Sequence, residues 1–223
     1  MNKEWSELNR KMQLDLKKRE TFSEGVETLL RLRKELFDEI LRLENELSPD
    51  EMCAAPFLGA KGYHSKTVVY SLWHIFRIED INAHTLIAGD EQVFFKGNYE
   101  RRTNSPIITT GNELEGEELV SFSKSLDLEG LFDYVSDTYN ATNKLIKLLS
   151  YDDMKVKVSE ERRNALTTLN VVDCSENAVW LIDYWCGKDT GGLVRMPFSR
   201  HIIMHAEACL RIEERLKKLR AKK

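Results

Sequence analysis

Four stretches of this chain repeat apolar residues at the three-and-four spacing of a single helical face, and few helix breakers interrupt them. The first carries Phe22, Val26, Leu29, Leu36, Ile40, Leu43 and Leu47 and stops at Ser48-Pro49. The second opens after Ser65, a residue type suited to an N-cap, and runs through Val68, Val69, Leu72, Trp73, Ile75, Phe76, Ile78, Ile81 and Leu86 to Gly89. The third starts near Ser125 or Asp127 and keeps Leu128, Leu131, Phe132, Val135, Tyr139, Thr142, Leu145, Ile146 and Leu149 on one side, and the fourth follows Pro197 to Arg220. Such long one-faced segments must bury their apolar sides against each other, so an all-α fold of four long helices around one core is expected. Two shorter helices are expected before the last one, behind Ser159-Glu160-Glu161 and from Ser175 to about Cys186, the second bounded by Gly187 and Gly191-Gly192.

With 11 glycines and 4 prolines in 223 residues, the chain is neither a disordered segment nor a turn-rich β-sandwich. Residues 1–21 are expected to form an N-terminal extension, and 22–223 one domain. The connection from Asp90 to Lys124 is too long for a tight hairpin and is expected to cross from one end of the helices to the other. Its 33 basic and 37 acidic side chains leave a net charge of −4, which offers no general attraction for nucleic acid or an anionic membrane. No run approaches the roughly 18 apolar residues of a membrane span, and the first 20 residues are charged throughout, which points to a cytoplasmic protein. Cys53, Cys174, Cys186 and Cys209 form no CxxC pair and are expected to be reduced thiols.

The five histidines, His64, His74, His84, His201 and His205, carry the chemistry. His201 and His205 are four apart on the last helix, which sets their Cβ atoms about 5–6 Å apart, the reach two imidazoles need to bind one divalent ion. Continuing their face gives Cys209, Ile212, Leu216 and Leu219, so both rings point inward. Buried imidazoles need partners for both ring nitrogens. Two arrangements supply them: carbonyls near a partly exposed end of the helices, or a metal ion completed by a ligand from another helix. His74 is the candidate for that third ligand, because Ile78 and Ile81 carry its face into the core, although taken alone it fits a hydrogen-bonded core residue. His84 is turned about 80° from His74 around the helix, and His64 precedes the helix; neither is counted as a ligand.

The segments Trp73-His74-Ile75-Phe76-Arg77-Ile78-Glu79-Asp80, Leu86-Ile87-Ala88-Gly89-Asp90-Glu91-Gln92-Val93 and His201-Ile202-Ile203-Met204-His205 resemble the DinB/YfiT-like superfamily. The resemblance covers about Phe22 to Leu219, with the extra short helices before the last one as a variation. It implies a four-helix bundle of up-down-down-up topology, often dimeric, with His74, His201 and His205 holding nickel, zinc or a similar divalent ion. It also implies an activity class: thiol-dependent S-transferases and isomerases that use low-molecular-weight thiols, and metal-dependent hydrolases, all acting on small organic substrates.

Three neutral imidazoles leave room at such an ion for water, a thiol or substrate, the hallmark of a catalytic rather than a structural site. Arg77, one turn after His74, is a candidate for a substrate carboxylate or anion, with a salt bridge to Glu79, Asp80 or another helix the more ordinary role for such a residue. Glu79 and Asp80 are turned from His74 by about 140° and 120°, so they are expected to support other contacts rather than act as a general base. Cys209 lies about 12 Å beyond His201 along the helix and is expected to pack in the core. Trp180, Trp185 and Met196 are candidates for a pocket wall or for core packing. Two functions follow: a metal-dependent thiol transferase or hydrolase, or a non-catalytic, stress-related metal protein whose ion ties two helices together.

Overall fold

The computed structural model describes residues 2–222, and these are helical along most of their length, with no strand and a single isolated bridge between Lys157 and Asp189. The helices are α1 Lys3–Asp15, α2 Phe22–Glu46, α3 Pro49–Met52, α4 Val68–Asp80, α5 Val93–Lys96 and α6 Tyr99–Arg102. They continue with α7 Gly116–Ser125, α8 Leu128–Leu148, α9 Glu160–Thr168, α10 Glu176–Cys186, α11 Thr190–Arg195 and α12 His201–Arg220. Side-chain oxygens start several of them. Asp127 accepts from the Gly130 N–H at 2.8 Å ahead of α8, and Ser159 accepts from Arg162 ahead of α9. The cap of α4 is Thr67, whose hydroxyl accepts from the Tyr70 N–H at 2.9 Å. Ser65, the expected cap, instead closes a short 3₁₀ turn by donating to the Gly62 carbonyl.

Two π-helical segments, which periodicity alone does not reveal, extend these helices. Ile81–Ala88 continues α4 and ends at Gly89, whose φ of +74° is the left-handed conformation a C-cap glycine adopts cheaply. Arg162 of α9 donates to the Leu86 and Ile87 carbonyls left open there. Met196–Arg200 joins α11 to α12. Pro197 explains it: proline has no N–H to donate and its ring crowds the preceding turn, and a widened turn absorbs the misfit without breaking the chain direction.

The segment before α2 packs against it. α1 lies along α2 and buries Trp5 and Met12, and Leu16 beyond its end is buried as well. The approach is close enough that a Cβ on Gly25 would sit 2.7 Å from the Leu16 backbone nitrogen. Leu219, expected on the buried face of α12, is 38% exposed, because the seam ends at Leu216.

α2, α4, α8 and α12 contact one another around two apolar clusters, one containing Leu36, Trp73, Leu131 and Ile212 and the other Leu29, Ile81, Ile146 and Phe198. Arg33 of α2 joins them, lying over Tyr139 and Phe198. Its guanidinium makes a two-pronged pair with Glu79 of α4 at 2.7 and 2.9 Å, reaches Asn143 of α8 at 2.7 Å and donates to the Phe198 carbonyl at 3.2 Å. One buried cation thus ties three long helices to the turn that precedes α12.

Candidate metal centre

His74 sits midway along α4, His201 opens α12, and His205 follows one turn later. One ligand nitrogen from each ring lies within 4.8 Å of the others, and all three residues are buried. The His74 and His201 Nε2 atoms are 3.2 Å apart, and the three ring centroids are separated by 4.7–5.0 Å. His74 Nδ1 lies 2.9 Å from the Thr110 carbonyl, which can only accept, so Nδ1 carries the proton and the Nε2 lone pair faces the other rings.

His201 Nδ1 and both nitrogens of His205 are buried without a hydrogen-bond partner. Each such group costs about 1–3 kcal/mol. Burial pushes the His74 imidazolium down to about pKa 4, and it pushes His201 and His205 well below the ordinary value, helped by mutual repulsion among the rings. All three rings are therefore neutral near pH 7, the form that binds metal. Converging, neutral, under-satisfied imidazoles fit a divalent ion, and a hydrogen-bonded pair at an exposed helix end does not describe them.

The loop between α6 and α7 sets the orientation of His74. Four donors on one face of α4 meet four consecutive carbonyls of that loop. Arg77 donates to Ile108 at 2.6 and 3.1 Å, Trp73 Nε1 to Thr109 at 3.1 Å, His74 to Thr110 at 2.9 Å, and the Tyr70 hydroxyl to Gly111 at 2.9 Å. The Asp90–Lys124 connection, expected only to cross the molecule, thus supplies the carbonyl that selects the His74 tautomer. The signal was present: residues 70, 73, 74 and 77 share a helical face and all carry N–H or O–H donors.

Two cavities flank the triad. One, of about 310 Å³, is bounded by His74 and His201 with Trp180, Tyr184, Trp185 and Met196. The other, of about 320 Å³, is bounded by His74 and His205 with Ser65, Lys66 and Tyr70. Tyr63 and Asn112 line both, and Tyr63 also packs edge-on against His205 with centroids 4.8 Å apart. Trp180, Trp185 and Met196 accordingly form a pocket wall. Tyr63, Lys66 and Asn112 escape sequence reasoning because they lie in irregular segments without periodicity.

The remaining candidates lie elsewhere. Arg77 is fully buried and lines neither cavity; of the two roles expected for it the structure shows the salt bridge, to Asp80, with Ile108, Gln92 and Tyr134 as further partners. Glu79 pairs with Arg33, and Asp80 accepts from the Val93 and Phe94 N–H groups and the Tyr134 hydroxyl. His84 is paired with Asp90 at 2.7 Å, and His64 packs edge-on against Phe57. Cys209 is buried, and that burial pushes its thiol up to about pKa 12. No helix among the described residues is long and apolar enough to cross a membrane. Compared with known proteins, the sequence matches no family model and no curated protein.

Proposed function

We propose that the protein is a divalent-metal-dependent enzyme of the DinB-like type, a thiol transferase or a hydrolase acting on a small organic substrate. The observation that carries this reading is the triad itself: three neutral, buried imidazoles with orphaned nitrogens, converging between two cavities. His74, His201 and His205 would hold the ion, nickel or zinc, since imidazole suits both. When bound, such an ion supplies Lewis acidity and lowers the pKa of water or a thiol in its vicinity towards neutrality.

The chain's own groups do the rest. The Thr110 carbonyl fixes the His74 tautomer, and the Arg33 guanidinium anchors the turn that aims His201 and His205. Trp180, Tyr184 and Trp185 offer apolar surface to a substrate body. The proposed bundle has up-down-down-up topology. Its support is the order of paired residues: Arg33 and Arg42 of α2 meet Phe198 and Glu213, so α2 and α12 ascend together. Arg33 meets Asn143 while Phe37 stacks on Tyr139, so α8 descends beside α2. The resemblance and the net charge further support a cytoplasmic homodimer with small-molecule rather than nucleic-acid or membrane partners.

The test is cobalt substitution. Cobalt-loaded protein should change its visible spectrum when a small thiol such as mercaptoethanol is added, because the ion keeps an exchangeable position. A spectrum indifferent to thiol and to azide would mean a sealed site, and the protein would then be a metal-stapled scaffold.

A further inference from the structure

The two cavities beside the triad differ in chemistry. In the first, Trp180 and Tyr184 are 49% and 37% exposed, and the indole Nε1 donates to the Asn177 carbonyl at 2.9 Å within its own helix. That bond fixes the ring and leaves its face as apolar surface without a polar demand. In the second, Lys66 is half-buried and makes no ion pair or hydrogen bond among the described residues; its ammonium lies 5.0 Å from the centroid of the Tyr70 ring. Glu115 influences it from beyond ion-pair distance. Asn112 holds its carbonyl oxygen towards the Thr110 hydroxyl at 2.8 Å, so its NH₂ group is free to donate where both cavities meet. A half-buried cation with no carboxylate at ion-pair distance, beside a free amide donor, has room for an anion in contact with it. One cation and one amide match a singly charged carboxylate better than a phosphate, which commonly gathers more donors.

We propose that the two cavities are one divided site for an organic carboxylate, its apolar body against Trp180 and Tyr184 and its carboxylate on Lys66 and Asn112. The proposal names the substrate class of the centre described above and rests on that functional reading for the role of the triad. Specificity then comes from anchors in two cavities that share His74, Tyr63 and Asn112, so neither a small hydrophilic acid nor a neutral aromatic molecule satisfies both.

Calorimetric titration of the zinc-loaded, full-length protein with phenylpropionate, phenylpropionamide and propionate tests it. Phenylpropionate should bind about tenfold tighter than its neutral amide and about tenfold tighter than propionate. Lys66→Met should erase the preference for acid over amide, and Lys66→Arg should keep it. Trp180→Ala should weaken both aromatic probes and leave propionate unchanged. Equal binding of acid and amide, no binding of phenylpropionate, or a preference that survives Lys66→Met would overturn the proposal, the last by assigning the carboxylate to the ion. Metal content measured on the same samples separates the two readings. An acid preference in a chain that takes up no zinc would overturn the metal centre and leave the subsite standing, whereas zinc-replete protein without the preference would do the reverse.

Discussion

The Thr110 carbonyl decides which nitrogen of His74 is available, and the Tyr70, Trp73 and Arg77 donors hold the loop that carries it. Removing one of these outer bonds leaves the three imidazoles in place but loosens the aim of one. Tyr70→Phe, which frees the Gly111 carbonyl, should therefore lower metal affinity by about tenfold in competition with a chelator while leaving the helical signal unchanged. Unaltered affinity would show that the loop does not orient His74. The triad itself was legible in the sequence, because the four-residue spacing of His201 and His205 and the apolar surroundings of His74 are periodic signals. The loop's role was not, since carbonyls carry no residue-type signature. Arg77 shows the limit from the other side: a guanidinium one turn from a ligand suits an anion, yet burial among Ile108, Asp80, Gln92 and Tyr134 is settled only by tertiary packing.

At the scale of elements, the long helices follow from their apolar spacing and the start of α8 from Asp127, whereas the cap of α4 is Thr67, two residues beyond the expected Ser65. The π-helical stretches follow from no such pattern, because a widened turn shifts the phase of the helix without changing its composition. The Arg33–Glu79 pair, with side chains 1% and 0% exposed, joins α2 to α4, and removal of one partner leaves the other charge buried alone. Glu79→Gln should cost about 3 kcal/mol in urea unfolding, and a loss below about 0.5 kcal/mol would mean the pair is dispensable. The packing of α1 is tested at Gly25, where an added Cβ meets the Leu16 backbone nitrogen as well as its side chain. Gly25→Ala should destabilise the protein by about 1–3 kcal/mol. No effect would indicate that α1 moves aside freely.

Across the whole molecule, α2 and α12 are held together far from the histidines by Glu213, which receives both arms of Arg42 at 2.7 and 2.8 Å and Lys217 at 2.8 Å. Arg42 first, then Lys217, hold the Glu213 carboxyl down at about 2 against an ordinary 4.5, with burial opposing them. A depressed acid stabilises the fold above its unfolded value and loses that contribution as it protonates. The stability difference between the native protein and Glu213→Gln should therefore be full above pH 4.5 and vanish as pH falls through about 2, followed by urea midpoints. A difference independent of pH would mean Glu213 stabilises by shape rather than charge. The histidine triad lies at the other end of α12, and elemental analysis of the untagged protein, purified without added metal, beside His205→Ala, tests it directly. The native protein should carry about one divalent ion per chain and the variant almost none. Equal metal in both, or none in the native protein, would contradict the claim that these three imidazoles form a metal centre.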